Sequence, residues 1–276
     1  MAHYFPVSAA PLRMVPSLLR FGVDLGMGEL DGRYFQVDAH YKRYIAAKRA
    51  SPAKTLCAGV RPAALSGVAD WMAQQMNAEG IQHEAGAGAI GDRLRALGNA
   101  CQEDFAILHE GKGGTGETLA VDVRFPSGWH PERLLHADFA AIHGPVPDFP
   151  ASDAASRAMV RGMVHRGPYV RFVWTLSPTD TLDQHPDRHD RAAAWRSATQ
   201  LFLRVERQVT VPFPDLGASL FLIRVFHTPL EDLAVAERKT LLAALDAMPD
   251  DVRRYKGLPD AATREALFRR CSSAQG

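Results

Sequence analysis

The chain has 276 residues, of which 46% are hydrophobic and 23% are charged, which is the balance of an ordinary folded protein. Such a composition excludes a disordered chain, a collagen and a coiled coil. Its 32 Lys and Arg residues and 31 Asp and Glu residues give a formal net charge of +1, so no overall field attracts nucleic acid or an anionic membrane.

The N-terminal part of the chain is predicted to be helical. Asp38 is placed to cap a helix with Tyr41, Tyr44 and Ile45 on one side. A second helix opens at Pro62, and its apolar residues recur every three or four positions until the chain reaches a glycine. We expect both apolar stripes to face a core.

Four later segments change to the two-residue period of half-buried strands. They are residues 119–125, 170–176, 201–210 and 220–227. The last two flank a turn region rich in Pro and Gly, which predicts an antiparallel hairpin.

The residues that follow the hairpin predict a further helix. Thr228 and Glu231 have the spacing of a capping box, in which each side chain satisfies an amide at the helix start. Helices combined with antiparallel strands predict the α+β class. Because no internal repeat or long linker divides the chain, we expect one domain over residues 1–276, with helical extensions at both ends.

Two other motifs lack what their chemistry requires. The Gly-rich stretch at residues 112–118 places Glu117 where a phosphate-binding loop needs a Lys, and it runs into a strand and not a helix. We interpret it as a connector loop. Ser127 lacks the flanking glycines of a nucleophile elbow, so the sequence does not predict a serine hydrolase.

Metal-binding patterns are weak in this sequence. The three cysteines form no Cys-x-x-Cys pair, which argues against a disulfide scaffold, a zinc ribbon, an iron–sulfur centre and covalently attached haem. His185 and His189 have the spacing of two ligands on one helix face, but Pro186 opposes a helix interior there. We therefore interpret this stretch as a solvated loop at a helix start.

The compartment is predicted from cysteine usage and from hydropathy. Few, scattered cysteines are typical of a reducing compartment. No apolar run approaches the roughly 18 residues of a membrane span, and the first residues have no basic segment ahead of an apolar core. We expect a cytoplasmic protein with neither a nucleic-acid nor a membrane partner.

A braced histidine and several strand arginines are unusual for a plain core. His143 lies in the segment Ile-His-Gly-Pro-Val-Pro, where two prolines restrict the backbone beside the imidazole. Arg204 and Glu206 share one face of a predicted strand, and Arg224 lies in an otherwise apolar strand. An arginine within a core strand needs a partner.

Seven segments, taken in chain order, resemble the haem-dependent oxidative N-demethylase family, the group that contains the haem subunit of dimethylamine monooxygenase. The segments are Gly26-Met27-Gly28-Glu29-Leu30 with Asp38 and Tyr41, Gln102-Glu103-Asp104, Phe125 to Trp129, Ile142 to Pro147, Arg171-x-x-Trp174, Arg204-x-Glu206-Arg207-Gln208, and Tyr255-Lys256-Gly257. Each segment alone is a weak signal, whereas their order and spacing are specific. The sequence departs from the family pattern at Val173 and over residues 209–211, which concerns the substrate more than the fold.

This resemblance implies a PAS-like fold, in which an antiparallel sheet and surrounding helices enclose a pocket for haem b. It implies a monooxygenase that uses dioxygen to convert a small secondary methylamine, such as dimethylamine, to the primary amine and formaldehyde. Electrons would come from NADPH through a separate flavin and iron–sulfur reductase. A folate-binding partner subunit would capture the formaldehyde.

His143 is the expected proximal ligand of the haem iron. It lies between the first two predicted strands, where PAS-type folds keep their cofactor-facing helices. His136 and His165 are alternative ligands, and a structural role for His143 is a further alternative. Trp129 and Trp174 belong to matching segments and are expected to contact the cofactor.

The charged strand residues are expected to supply the other functions of the site. Arg224 would donate a hydrogen bond to bound dioxygen, or it would pair with Glu206 on the neighbouring strand. Arg204 and Arg207 are candidates to grip the haem propionates, although their opposite facings make a shared target difficult. Glu206 could instead hold the protonated amine.

Two other functions remain open at this point. A haem-based gas or redox sensor is the main alternative, because a PAS-type resemblance also fits sensing. A sensor normally passes its signal to an output domain, and the sequence shows no kinase motif and no basic DNA-reading helix, which favours the enzyme. A haemless scaffold subunit is the third possibility.

Overall fold

The computed structural model describes residues 3–8, 18–84, 86, 88–149 and 152–273. Within these ranges, seven strands form one antiparallel sheet. The strands are β1 (Leu19–Arg20), β2 (Leu56–Cys57), β3 (Asp104–Glu110), β4 (Gly116–Asp122), β5 (Tyr169–Ser177), β6 (Phe202–Phe213) and β7 (Ala218–Pro229). Across the sheet their order is β1-β5-β6-β7-β3-β4-β2.

Nine α-helices accompany the sheet in the described ranges. They are α1 (Tyr41–Ala50), α2 (Pro62–Ala78), α3 (Ile90–Gly98), α4 (Phe139–His143), α5 (Asp153–His165), α6 (Arg191–Ser197), α7 (Val235–Asp246), α8 (Asp250–Tyr255) and α9 (Ala261–Ser273). This combination of helices with an antiparallel sheet confirms the predicted α+β class. None of these helices is both long enough and apolar enough to cross a bilayer.

Side chains alternate between the two faces of the sheet, and the long central strand β6 defines them. Face A is the side toward which Arg204, Glu206 and Gln208 point, and face B is the side of Val205 and Arg207. The register carries this division to the neighbouring strands, because residues that lie opposite each other share a face.

Face B holds most of the hydrophobic core. Apolar side chains of α2 and α3 pack against β3, β6 and β7 at one end of this face, with Leu65, Met72, Met76 and Leu94 at most 1% exposed. A second cluster joins β5 and β6 to the C-terminal helices through buried leucines of α7 and α9. The terminal helices therefore stabilise face B.

Face A is covered by the segment that connects β4 to β5. Phe139 of α4 and two valines of α5 pack on Leu108 of β3. Trp129 and Leu134 pack on an apolar cluster that includes Ile223 of β7. The connection between β4 and β5 thus encloses the polar side chains of β6 against the sheet.

The predicted hairpin is confirmed, whereas one central strand escaped prediction. Strands β6 and β7 pair antiparallel along their whole length, from Phe202 opposite Pro229 to Phe213 opposite Ala218. Strand β3 was not predicted, because its run Phe-Ala-Ile-Leu is apolar on both faces and carries no two-residue alternation. The Gly-rich stretch connects β3 to β4, as the loop interpretation expected.

Both predicted helix caps are wrong. Helix α1 begins at Tyr41 after His40, and the Asp38 carboxylate accepts hydrogen bonds from the His40 amide and from a core arginine. Thr228 still belongs to β7, and α7 begins only at Val235. The side chain of Glu237, and not of Glu231, accepts the amide of Ala234 there.

Candidate functional site

His143 ends helix α4 above face A. Its Nδ1 lies 2.8 Å from the carbonyl oxygen of Phe139, one turn back in the same helix, so Nδ1–H donates this hydrogen bond. The ring lies between the rings of Phe139 and Phe149, with centroids 4.2 and 4.9 Å away. The bond to the carbonyl fixes the tautomer, and it leaves Nε2 as the nitrogen with a free lone pair.

The surroundings of His143 keep its imidazole neutral. Burial lowers the pKa of His143, and the nearby positive charge of Arg171 lowers it further, which together outweigh the bond to Phe139. A neutral imidazole is the form that binds a metal ion, and metal-binding histidines usually donate their other N–H to a carbonyl or carboxylate. His143 therefore has the protonation state and the hydrogen bond at its other nitrogen that metal-binding histidines usually have.

A polar chain runs across face A on strands β5 and β6. Ser127 Oγ donates a hydrogen bond to Glu206 Oε1, and Gln208 Nε2 donates to Glu206 Oε2 over 2.8 Å. Arg171 Nε donates to Gln208 Oε1 over 2.6 Å. The chain connects the carboxylate of Glu206 to the arginine that influences His143, so these side chains form one electrostatic unit.

Arg204 does not have the free donors that a propionate grip requires. Its five N–H groups meet Ser127 Oγ, His227 Nε2 and the carbonyl oxygens of Phe125, Thr181 and Leu182 at 2.9–3.3 Å. A guanidinium has five donors in all, and the side chain is 1% exposed. Arg204 thus holds the loops of face A in place, and its expected grip on a propionate stays a prediction.

Arg191 of α6 connects two segments that are far apart in the sequence. Its Nη2 donates to the carbonyl of Ser127 over 2.9 Å, and its Nη1 donates to the carbonyl of Lys256 over 3.2 Å. Gly128 and Gly257 lie against the same guanidinium, both with a positive φ. A Cβ atom at either glycine would come within 2 Å of an Arg191 nitrogen, at 1.7 and 1.9 Å.

The backbone segment that follows α8 therefore lies close to the hydrogen-bonded side chains around Glu206. Lys256 Nζ donates to the carbonyl of Trp174 over 2.7 Å. Burial lowers the pKa of Lys256 to about 8, against the opposing attraction of Glu206. Burial also raises the pKa of Tyr255, and the charge of Glu206 adds to that rise. The charge of Glu206 therefore acts on the Tyr255 and Lys256 side chains, which lie beside the part of β5 that β1 does not cover.

Replacing Gly128 with Ala is expected to destabilise the protein more than backbone strain alone explains. A left-handed conformation costs an alanine about 1–2 kcal/mol. The new methyl group must also displace the Arg191 guanidinium from its backbone acceptors, and each hydrogen bond lost costs about 0.5–1.5 kcal/mol. Gly80→Ala is a matched control, because its φ of +82° is close to the +83° of Gly128 and nothing lies within 4 Å of its Cβ position. Urea unfolding measures both variants, and equal losses would contradict the role of Arg191.

Three residues of the expected site lie on face B instead. Arg207, Arg224 and Trp174 all point away from His143 and Glu206. Arg207 Nη2 donates to the carbonyls of Asp31 and Arg33 at 3.1 and 3.0 Å. Trp174 belongs to the hydrophobic cluster of the C-terminal helices. Both residues lie on the face opposite His143, and their expected part in cofactor binding stays a prediction that these contacts do not support.

Arg224 does not pair with Glu206. The register places Arg224 opposite Arg207, and Glu206 lies opposite Val225 on the other face. Arg224 is fully buried, donates to Asp38 over 2.9 Å, and lies 4.0 Å from Glu103. Its guanidinium also stacks 3.9 Å from the centre of the Tyr44 ring. The structure thus gives Arg224 a buried structural partner and removes it from the surroundings of His143.

The alternative histidines are surface residues. His165 Nε2 lies 2.6 Å from Glu110 Oε2, and its side chain is 42% exposed. The His136 side chain is 57% exposed and lies 3.6 Å from Glu117. Neither has the enclosed aromatic surroundings of His143. Among the three candidates, His143 alone combines burial with a fixed tautomer.

Comparison with protein families shows which family the chain belongs to. The family model described as haem-dependent oxidative N-demethylase, alpha subunit-like, matches residues 73–264. The chain belongs to this family. The matched region runs from within α2 into α9, and it contains strands β3 to β7 and His143. The comparison with curated proteins finds no match.

Membership confirms the resemblance that the seven sequence segments indicated. The family is one of haem-dependent oxidoreductases that act by oxidative N-demethylation. Its description as an alpha subunit implies that its members work with partner subunits. The match concerns the sheet and the connection that covers face A, which is the part of the chain that carries the candidate site.

Sequence reasoning alone assigned no role to three residues of this site. Arg171, Arg191 and Lys256 all influence the neighbourhood of Glu206, but each is a common residue type in a short local pattern. Two of them belong to segments that carried the family resemblance. Gly128 and Gly257 were the other available signal, because a glycine is required where a side chain from elsewhere approaches the backbone.

Proposed function

We propose that this chain is the haem-binding subunit of a monooxygenase that removes a methyl group from a small secondary methylamine such as dimethylamine. The observation that carries the proposal is His143, a neutral imidazole whose tautomer presents Nε2 on the face that also holds Glu206. The products would be the primary amine and formaldehyde. The family of the chain supports the reaction class.

The residues of face A would supply the contacts that a haem b group needs. His143 would ligate the iron through Nε2, while Phe139 and Phe149 hold the ring and Trp129 contributes an apolar wall. Arg171 would hold a propionate, because only its Nε is engaged by another described residue and its Nη groups are left as donors. When bound, the haem supplies the site at which dioxygen is activated.

Glu206 would hold the protonated amine. A carboxylate has about four lone-pair positions, and Ser127 and Gln208 use one on each oxygen, so acceptor capacity remains for an ammonium group. Ser127 and Gln208 also fix the plane of the carboxylate. A positioned carboxylate orients the N-methyl group of a cationic substrate and discriminates against neutral molecules of the same size.

The remaining parts of the proposal concern organisation and partners. We propose that residues 1–276 form one PAS-like haem domain, which is supported by the position of α4 and α5 between β4 and β5. Electrons would come from NADPH through a separate flavin and iron–sulfur reductase, since three scattered cysteines cannot hold such a cluster. A folate-binding partner would take up formaldehyde, and the compartment would be the cytoplasm.

Formaldehyde release tests the proposal. Purified haem-loaded protein is mixed with a competent reductase, NADPH and a panel of methylated amines, and formaldehyde is measured with and without oxygen. We expect release that requires oxygen, amine and reductase together, and no release with NADPH alone. Glu206→Gln should raise the KM for the amine about tenfold or more, because it removes the charge that holds the ammonium.

Absence of formaldehyde release, or absence of haem binding, would favour one of the two alternative functions. A haem-loaded protein that binds oxygen reversibly but releases no formaldehyde from any amine would favour the haem sensor. A colourless protein that takes up no added haem would favour a scaffold subunit. Either outcome would contradict the proposed function.

A further inference from the structure

A second cluster of possible metal ligands lies away from His143. It consists of His130, Glu132, His185 and Asp187, whose ligand atoms all lie within 4.8 Å of one another. The residues come from two short segments, His-x-Glu at 130–132 and His-x-Asp at 185–187. The sequence pattern of His185 and His189 did not predict this cluster, because the histidine that lies near His185 is His130, from another segment.

The distances show that the cluster is centred on one carboxylate. His130 Nδ1 lies 2.9 Å from Glu132 Oε1, and His185 Nε2 lies 3.2 Å from Glu132 Oε2. Ligands 2.0–2.2 Å from a tetrahedral ion lie about 3.4 Å apart, so each imidazole already lies at about the required separation from the Glu132 carboxylate. Only Asp187 is more distant, with Oδ2 3.9 Å from His185 Nδ1.

The burial of His185 is unusual for a loop histidine. The side chain is 5% exposed, although the loop was expected to be solvated. This corrects the interpretation of residues 183–190, which do form a loop before α6 but carry a buried imidazole. The same segment pairs with the strand-like Ser127 through an isolated bridge from Gln184.

The charges of the cluster suit a divalent cation. The two oxygens of the Glu132 carboxylate each face one imidazole, that of His130 and that of His185. With Asp187 the cluster carries two negative charges and two imidazoles. Imidazole and carboxylate together, without thiolate, are a ligand set for Zn²⁺ and its neighbours in the first transition row.

We propose that His130 Nδ1, Glu132 and His185 Nε2 bind one divalent transition-metal ion such as Zn²⁺, with Asp187 as the positioning carboxylate for His185. Each imidazole now directs an N–H at Glu132, and the ion replaces both of these protons when each ring changes to its other tautomer. Without the ion, His185 Nδ1 accepts the backbone amide of Asp187 over 3.2 Å. In the metal-bound tautomer Nδ1–H gives up this bond and donates instead to Asp187 Oδ2, which approaches from 3.9 Å, the arrangement that commonly orients a metal-binding histidine.

Such an ion would connect two segments that support face A. Residues 127–132 follow β4 and carry Ser127, and residues 184–187 precede α6, which carries Arg191. The ion would be structural, since it joins two loops and shares no residue with the surroundings of His143. The inference does not depend on the haem or on the proposed reaction.

Zinc binding to the full-length protein, without an affinity tag, tests the inference. Protein is treated with a chelator, titrated with ZnCl₂ by calorimetry, and analysed for zinc and haem iron after gel filtration. We expect one zinc ion per chain in addition to the haem iron. The melting temperature should rise when zinc is added and fall again when the chelator is added. Glu132→Gln should abolish the binding.

Two further variants keep the test decisive. Asp187→Asn changes a side chain that is 72% exposed, so it is expected to fold, and it should weaken zinc binding about 10–100-fold. His189→Gln is the matched control, because it changes a histidine of the same loop outside the cluster and should leave zinc binding intact. Binding that is absent, or equally strong in Glu132→Gln, would show that the cluster is an ion-pair network only and would overturn the inference.

Discussion

His143→Ala is expected to lose most of its haem and most of the Soret absorbance of the purified protein. The variant removes an imidazole of face A whose burial and tautomer suit an iron ligand, and it leaves a space between Phe139 and Phe149. Added imidazole should fill that space and restore part of the haem spectrum. Absorption spectra of the oxidised and reduced protein measure both effects.

A matched control separates ligation from general damage. His165→Ala removes a surface histidine of the neighbouring helix, and it should leave haem content unchanged. If His143→Ala retained its haem with an unchanged spectrum, the proximal ligand would be another residue. Loss of haem in both variants would point to an effect on folding.

Arg224→Met is expected to destabilise the protein by about 3–5 kcal/mol, because it takes the positive charge away from the buried Glu103 carboxylate and the half-buried Asp38 carboxylate. Asp38 and Glu103 both face the guanidinium, and Arg224 is fully buried. Urea unfolding at neutral pH measures the loss. The reaction of the reduced haem with oxygen should remain normal, since Arg224 lies on the face opposite His143.

The pH dependence of this loss follows from the same carboxylates. Burial raises the pKa of Glu103, although Arg224 opposes the rise. Without Arg224, the pKa of Glu103 in the folded protein rises further above its value in the unfolded chain. The free energy of unfolding is therefore reduced at a pH above the unfolded pKa, and it recovers as the pH falls through the folded pKa and Glu103 is protonated. The stability gap between Arg224→Met and the unchanged protein should therefore narrow at acidic pH.

A surface pair provides the control for Arg224. Arg43 lies 2.8 Å from Asp180, and both side chains are about half exposed. Arg43→Met should cost at most about 1 kcal/mol, because solvent screens an exposed ion pair. A similar loss of stability in both variants would contradict a buried structural role for Arg224. Faster oxidation of the ferrous–oxygen complex in Arg224→Met would instead favour the expected hydrogen bond from Arg224 to bound dioxygen.

The period of apolar and polar residues in the sequence predicted those strands and helices that bury one face and expose a more polar one. The β6–β7 hairpin was predictable because its strands alternate in side-chain character and a Pro- and Gly-rich turn separates them. Strand β3 was not, because helices on one side and the β4–β5 connection on the other bury both of its faces. The helix caps failed for a related reason: Asp38 serves a core arginine, and tertiary contacts outweigh a local cap.

The sequence by itself determined the class of the fold, the hairpin, the family and the braced His143. It also determined that Arg204 and Arg207 point to opposite faces, because alternation along one strand is local. Only the tertiary structure decided which face α4 and α5 cover, and the register decided that Arg224 lies opposite Arg207 and not beside Glu206. Cross-strand register and the packing of distant segments, such as Arg191 between Gly128 and Gly257, depend on contacts between residues far apart in the chain, which no local pattern encodes.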